Sequence, residues 1–227
     1  MATNRQELIA RSAEIGTPDI DNARAFFEAD ERAVRFEEYM YGAVPTYLQT
    51  PAVARAYVKA FLPDVTPEQL DYAVDSRRIL ERDARRRCNK GNHLYVSQYS
   101  LELSSVAFLK EGIMQRRKLA LSHSQRQEQL ARIATKSADP HLDIRVVPDH
   151  CEQPPFENAM LYNFEDGKKV VFHEGQEGLA PPVTDPEQLA TFEQGFAHLA
   201  QIALQPNDSL LYVEAVIRRN SASIAHR

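Results

Sequence analysis

The sequence is short of the residues on which many functional classes depend. Its 227 residues hold only eight glycines, two cysteines and no tryptophan. Cys88 and Cys151 stand far apart, so neither a CxxC pair nor a disulfide framework is available, and this usage fits a reducing compartment. No apolar run approaches the roughly 18 residues that a membrane-crossing helix needs, and the opening stretch MATNRQELIARS lacks the apolar segment of a signal peptide. A cytoplasmic protein with no membrane attachment is the expectation. Positive charge is also short: the formal net charge is −5, whereas direct binding to nucleic acid usually needs a surplus of Lys and Arg to displace counterions. GxGxxG, GxxxxGK[ST] and GxSxG are all missing. Dinucleotide, P-loop and α/β-hydrolase chemistry therefore have no anchor, and no cofactor is expected.

What is present is an ordinary globular composition, 43% hydrophobic and 26% charged, with clear punctuation between elements. The first half reads as helices. Gly16-Thr17-Pro18 ends a first amphipathic stretch, and Asp19 or Asp21 is placed to cap a helix running towards Tyr41. Thr50-Pro51 and Thr66-Pro67 each combine a capping hydroxyl with proline at the first helical position. The first opens a helix with Val53, Ala54, Tyr57, Val58 and Phe61 on one face. The second opens a longer helix with Leu70, Ala73, Val74, Arg77 and Leu80 along one stripe.

From His93, HLYVSQY reads as a strand, Ser104 to Leu121 as helical and Gln125 to Ser137 as another helix. Leu142, Ile144 and Val146 then alternate with polar residues until Pro148 stops the strand. AMLYNF and KVVFH flank Asp166-Gly167, a strong hairpin signal. With those two residues as the loop, Leu161 and Asn163 share a face with Val170 and Phe172, and Tyr162 shares the other with Val171 and His173. Asp185-Pro186 opens a helix, and a last one follows Pro206. Together these elements predict an α+β domain with a helical N-terminal half, a small antiparallel β-sheet with a hairpin at residues 158–174, and C-terminal helices.

Several stretches resemble, in one order, the DUF5753 domain found C-terminal to helix-turn-helix regulators of actinobacteria. Val44-Pro45-Thr46-Tyr47-Leu48-Gln49-Thr50-Pro51 resembles the proline and LQT-P signature. Glu128-Gln129-Leu130 and Ile144-Arg145-Val146-Val147-Pro148 resemble the helix carrying QL and the strand ending in VLP. Phe172-His173-Glu174-Gly175 is similar to an acidic-glycine corner, and Ala203-Leu204-Gln205-Pro206 through Ser209 to the closing AL-x-P segment. The likeness covers roughly Phe26 to Ile217. Ser97-Gln98-Tyr99-Ser100-Leu101 departs from it, with an amide where the family usually has an acid; Thr46 and Tyr47 stand for a glycine and a leucine. The resemblance divides the chain into an N-terminal helical extension (1–25), the DUF5753-like domain (26–220) and a tail (221–227). It implies a sensor-type domain. With only about 25 residues before the match, the expectation is a sensor without the roughly 60-residue three-helix DNA-binding domain of such regulators.

Chemistry-bearing residues gather at Asp149-His150-Cys151-Glu152 after one strand and at His173-Glu174 after the hairpin. His150, Cys151, His173 and Glu174 form the candidate catalytic set, because imidazole and carboxyl groups exchange protons near neutrality and a thiol serves as nucleophile when its pKa falls. Tyr47, Gln98, Tyr99 and Tyr162 are the candidate ligand-binding residues, combining apolar area with polar tips. Loop and packing roles compete for all eight. HEGQE is not HExxH, so no metal site is expected. The basic run Arg77, Arg78, Arg82, Arg85, Arg86, Arg87 and Lys90 is interleaved with Glu68, Asp71, Asp75, Glu81 and Asp83, as in a solvated, ion-paired face.

The expected function is a stand-alone small-molecule-binding or regulatory domain that does not touch DNA directly. Two alternatives are a natural-product enzyme using cofactor-independent acid–base chemistry, such as isomerisation, cyclisation or elimination, and an interaction module for a small DUF397-like partner. A second copy of the chain is a further candidate partner.

Overall fold

The computed structural model describes residues 5–14, 20–61, 64–87, 92–102, 106–108, 118–156, 158–175 and 178–225. Helices α1 (Arg5–Glu14) and α2 (Ile20–Arg32) lead into strand β1 (Ala33–Met40). A one-turn 3-10 helix (Thr46–Leu48), α3 (Pro51–Phe61) and α4 (Pro67–Arg87) connect β1 to β2 (Asn92–Ser97). Next come α5 (Gln98–Glu102), β3 (Val106–Phe108), β4 (Lys118–Ala120), α6 (His123–Lys136) and β5 (Leu142–Val147). The chain ends with β6 (Asn158–Phe164), β7 (Lys169–Gly175), the two-residue β8 (Gly178–Leu179), α7 (Pro186–Ile202) and α8 (Pro206–Ala225). The protein is an α+β domain, as the sequence predicts.

The main sheet runs β5-β2-β1-β6-β7-β8. It is mixed where an antiparallel one is expected: β1 pairs parallel with β2, and β2 parallel with β5. Parallel neighbours need long crossovers. Here α3 with α4, and α5 through α6, supply them, so the helical half of the sequence is the connection between strands. The helix expected to run towards Tyr41 ends at Arg32, and AVRFEEYM becomes the inner strand β1. Its Phe36, Tyr39 and Met40 are buried on the two faces of the sheet, and that tertiary burial overrides local helical tendency. Within Ser104 to Leu121, the described residues form the antiparallel β3–β4 ladder instead of a helix.

The hairpin β6–β7 sits one residue away from its expected register. Tyr162 pairs with Val170 and Met160 with Phe172, so the loop has three residues, Glu165-Asp166-Gly167. Gly167 has φ 81° and its N–H donates to the Phe164 carbonyl at 3.1 Å. This left-handed glycine is the geometry of a type I turn closed by a bulge. One residue of slip exchanges the faces. Tyr162, Val170 and Phe172 join the core under α2, α6 and α8, whereas Leu161 and Val171 join Tyr39, Tyr95, Phe196 and Leu199 under α7.

The N-terminal α1 packs onto α4, with Leu8 fully buried and Arg11 bonded to the buried Asp75 at 2.8 Å. At the other end, α8 continues through residue 220 to Ala225. Asp185 caps α7 through the Gln188 N–H, and Ser122 and Gln125 close a capping box on α6.

Candidate ligand-binding site

Along β1, Phe36, Glu38 and Met40 alternate onto the face that carries the larger core. Two of those positions are apolar, but the middle one is a carboxylate with 0% exposure. The backbone N–H of Thr46 donates to its Oε1 at 2.6 Å, because the Pro45 corner folds the 3-10 helix back over the strand. Oε2 is buried and has no hydrogen-bond partner. Burial pushes the Glu38 carboxyl up to about 7 despite the Thr46 hydrogen bond and the nearby Tyr47 N–H; Glu174 adds to the rise.

Glu38 lines a cavity of about 240 Å³, bounded by α2, α4, β1, β6 and β7. Phe26, Phe27, Met40, Leu80, Met160 and Phe172 give it apolar walls, and Thr46, Ser76, Arg77, Asn158 and Glu174 add polar groups. Glu174 Oε2 accepts from the Tyr57 hydroxyl at 2.8 Å and from Asn158 Nδ2 at 3.1 Å. Asn158 is itself fixed, its Oδ1 accepting the Tyr41 N–H at 3.1 Å. Burial raises the Glu174 carboxyl, opposed by Tyr57, Arg77 and Asn158. Burial likewise raises the Tyr57 phenol, and Glu174 adds to the effect. Arg77 Nε donates to Gln49 Oε1 at 3.3 Å, and its Nη1 to Ser76 and the Ala73 carbonyl. Burial lowers the guanidinium's pKa while Glu174, Tyr57 and Glu38 hold it up.

The sequence-derived candidates are dispersed. Glu174 reaches the cavity. His173 borders it, but strand alternation puts its ring on the opposite sheet face, with the centroid 5.6 Å from Phe192 of α7. Tyr47 and Tyr162 meet through their hydroxyls at 3.2 Å, and Tyr47 also donates to Asp30; all three side chains are buried in the core. Gln98 accepts the Asp149 N–H at 3.3 Å, and Tyr99 stacks on Tyr41 at 5.7 Å. His150 is exposed and Cys151 is a half-buried free thiol on the turn after β5. The eight residues do not converge.

Sequence reading missed Glu38 and the inward role of Arg77. Signals for both existed: a carboxylate between Phe36 and Met40 at strand spacing, and an arginine on the apolar stripe of α4. The outer face of α4 is ion-paired, largely to other helices. Asp71 takes Arg55, Asp75 takes Arg11 and Arg78, and Glu81 takes Arg132 and Lys136. Cys88, Lys90, Arg116 and Arg117 lie outside the described residues, as do the side chains of Arg85, Arg86 and Arg87. Among the described residues, no group of three His, Cys, Asp or Glu could hold a metal ion, and no helix is long and apolar enough to cross a membrane.

An α+β domain with a polar-tipped apolar cavity beside its central strands defines the class of protein. The chain belongs to the family described as a domain of unknown function, DUF5753, whose model matches residues 23–215. No curated protein and no solved structure matches it.

The stretches that carry the family resemblance have definite places in the fold. Gln129 of α6 donates to the Leu48 carbonyl at 2.8 Å and accepts the Thr50 N–H at 2.8 Å, clamping the LQT-P corner. Gln49 of that corner meets Arg77. Ser209 accepts the Val146 N–H at 2.9 Å, and the Leu204 N–H donates to the Val146 carbonyl at 2.9 Å, so the closing segment completes the edge of β5.

Proposed function

We propose that this chain is a small-molecule-binding domain whose ligand occupies the cavity at Glu38, Arg77 and Glu174. The observation that carries the reading is Glu38, which lines an apolar cavity and whose buried Oε2 has no hydrogen-bond partner. Buried polar atoms are nearly always paired, and an unpaired one on a residue that borders a cavity is a place where a bound group completes the set. Sites for small molecules share this composition, with apolar walls and a few convergent polar groups. The cavity's position between α2 and α4 supports a regulatory role, in which occupancy changes their packing over the sheet. Cysteine usage and the acidic balance favour a cytoplasmic setting without direct nucleic-acid contact.

The test is amide chemical-shift mapping against a library of alicyclic and aromatic fragments. Perturbations centred on residues 38–40, 158–160 and 172–174 support the reading. Perturbations centred on residues 149–153 sink it.

One observation favours proton transfer on the bound ligand as a second reading. Glu38 titrates near neutrality and lines an apolar cavity together with a second carboxyl, the arrangement that suits general acid–base work. In that reading Glu38 is the acid–base group and Glu174, oriented by Tyr57 and Asn158, the second carboxyl of an isomerisation, cyclisation or elimination.

A further inference from the structure

The cavity's charges do not balance. The acidic side chains at its wall are Glu38 from β1 and Glu174 from β7; the guanidinium opposite them is Arg77 from α4, with the His173 position at the rim. Tyr57 from α3 and Tyr72 from α4 are the other titratable groups nearby, and both enter the electrostatics of Arg77. Glu174 already has the Tyr57 hydroxyl and Asn158 amide as donors and Arg77 as its cation. Glu38 Oε1 accepts the Thr46 N–H; the Thr46 side chain and the Tyr47 N–H also favour its charged form, and Oε2 has no hydrogen-bond partner. When ionised, Glu38 shares the one Arg77 guanidinium with Glu174, and a buried charge that is only partly compensated is unfavourable.

Taking the cavity as the ligand site, we infer that its ligand is a compact apolar amine, whose ammonium group sits against Glu38 while its hydrocarbon body lies against Phe26, Phe27, Met40 and Phe172. An ammonium supplies both things that Glu38 lacks, a hydrogen-bond donor for Oε2 and the second positive charge. A carboxylate ligand adds a third negative group to a site with one guanidinium. A neutral alcohol offers a donor and leaves the charge uncompensated. Burial holds the Glu38 carboxyl at about 7, so an ammonium ion that binds below that pH expels its proton.

The probes are three compounds of nearly one shape: cyclohexylmethylamine, cyclohexylmethanol and cyclohexanecarboxylate. Titration calorimetry on the full chain, run between pH 6 and 8 in two buffers of different protonation enthalpy, reads affinity and proton release together. The expected result is amine binding at least about tenfold tighter than either analogue. Affinity should rise by up to about tenfold per pH unit below pH 7 and level off above it, with proton release confined to the lower range. Glu38→Gln should lose both the amine preference and the proton release while keeping an oxygen for the Thr46 N–H. If that variant unfolds, the wild-type series still decides.

Preference for the carboxylate, or equal binding of alcohol and amine, overturns the amine assignment and leaves the cavity standing as a ligand site. An unchanged pH slope in Glu38→Gln overturns the role of Glu38. Failure of all three probes to bind at millimolar concentration overturns both the amine assignment and the cavity reading.

Discussion

Glu38 of β1 and Glu174 of β7 reach one cavity from strands that do not touch each other. Between them lies β6, where Met160 pairs with Glu38 on one side and Phe172 on the other. Glu174 follows two residues after Phe172, on the same face, and Asn158 of β6 bonds to it while pairing with Met40. Two acids 136 residues apart in the chain therefore sit one cross-strand row apart.

The raised carboxyl of Glu38 makes stability depend on pH in a defined direction. Its folded value of about 7 lies above the ordinary 4.5, so between those values the folded state holds a proton that the unfolded chain has released. The stabilisation from that bound proton is complete at low pH, declines as pH rises through 4.5 to 7 and is gone above 7. Its size is on the order of 3 kcal/mol as an upper bound. Urea unfolding at pH 5 and pH 8 checks this: Glu38→Gln should flatten that part of the profile. A variant profile parallel to the wild type would show that Glu38 does not titrate there.

Tyr57→Phe removes the hydroxyl that donates to Glu174 and leaves the ring in place. A hydrogen bond contributes about 1.5–3 kcal/mol when its acceptor is ionised and about 0.5–1.5 kcal/mol when it is neutral, so denaturant unfolding should show the larger loss at high pH, where Glu174 is ionised. At low pH, with Glu174 protonated, the loss should shrink. An equal loss at both extremes would assign the effect to packing.

Gln129→Ala cuts both hydrogen bonds that clamp Leu48 and Thr50; the Leu48 carbonyl keeps Arg132 Nε at 2.9 Å, but the buried Thr50 N–H is left unpaired. A loss of about 1–3 kcal/mol is expected from that one group. Because the clamped corner also carries Thr46, probe affinity for the cavity should fall with stability. Undiminished affinity in the folded variant would separate the corner from the cavity.

Two glycines should respond to alanine for different reasons. At Gly167 a Cβ meets nothing within 4 Å but the φ of +81° is strained for an L side chain, so the cost is about 1 kcal/mol and purely conformational. At Gly195 a Cβ would lie 2.3 Å from the Phe156 ring, forcing that side chain to move at about 1–3 kcal/mol. Thermal unfolding measures both, and loss of aromatic near-ultraviolet dichroism should accompany only the second.

His150→Ala and Cys151→Ser, on a turn outside the cavity, should change stability by less than about 0.5 kcal/mol and leave probe binding within twofold. A large drop in affinity in either would return the site to the turn after β5.

Much of the architecture could be read locally because its signals are local. Thr50-Pro51, Thr66-Pro67 and Asp185-Pro186 start helices through hydroxyl or carboxylate caps and a preset proline φ, and each starts one in the structure. The hairpin was legible through Asp166-Gly167, although its faces were not. The difference between a two- and three-residue loop is a single left-handed glycine, and that residue decides which side of the sheet receives Tyr162. β1 was not legible because Phe36, Tyr39 and Met40 serve two cores at once, which erases strict alternation.

The site was less legible for the same kind of reason. His150 and Cys151 adjoin in sequence, yet the turn leaves His150 at the surface. Glu174 was found through its corner. Glu38 and Arg77 acquire their chemistry only when α4 is laid over β1 and water is excluded, since desolvation is what raises the one and lowers the other.

The sequence by itself determined the α+β class, most helix starts, and the DUF5753 membership carried by its ordered motifs. Those properties rest on capping, periodicity and residue order, which act over a few residues. Tertiary structure alone decided the parallel pairings, the hairpin faces and the meeting of Glu38, Arg77 and Glu174. These depend on strand neighbours distant in the chain and on burial, which sets polar side chains into the wall of an apolar cavity.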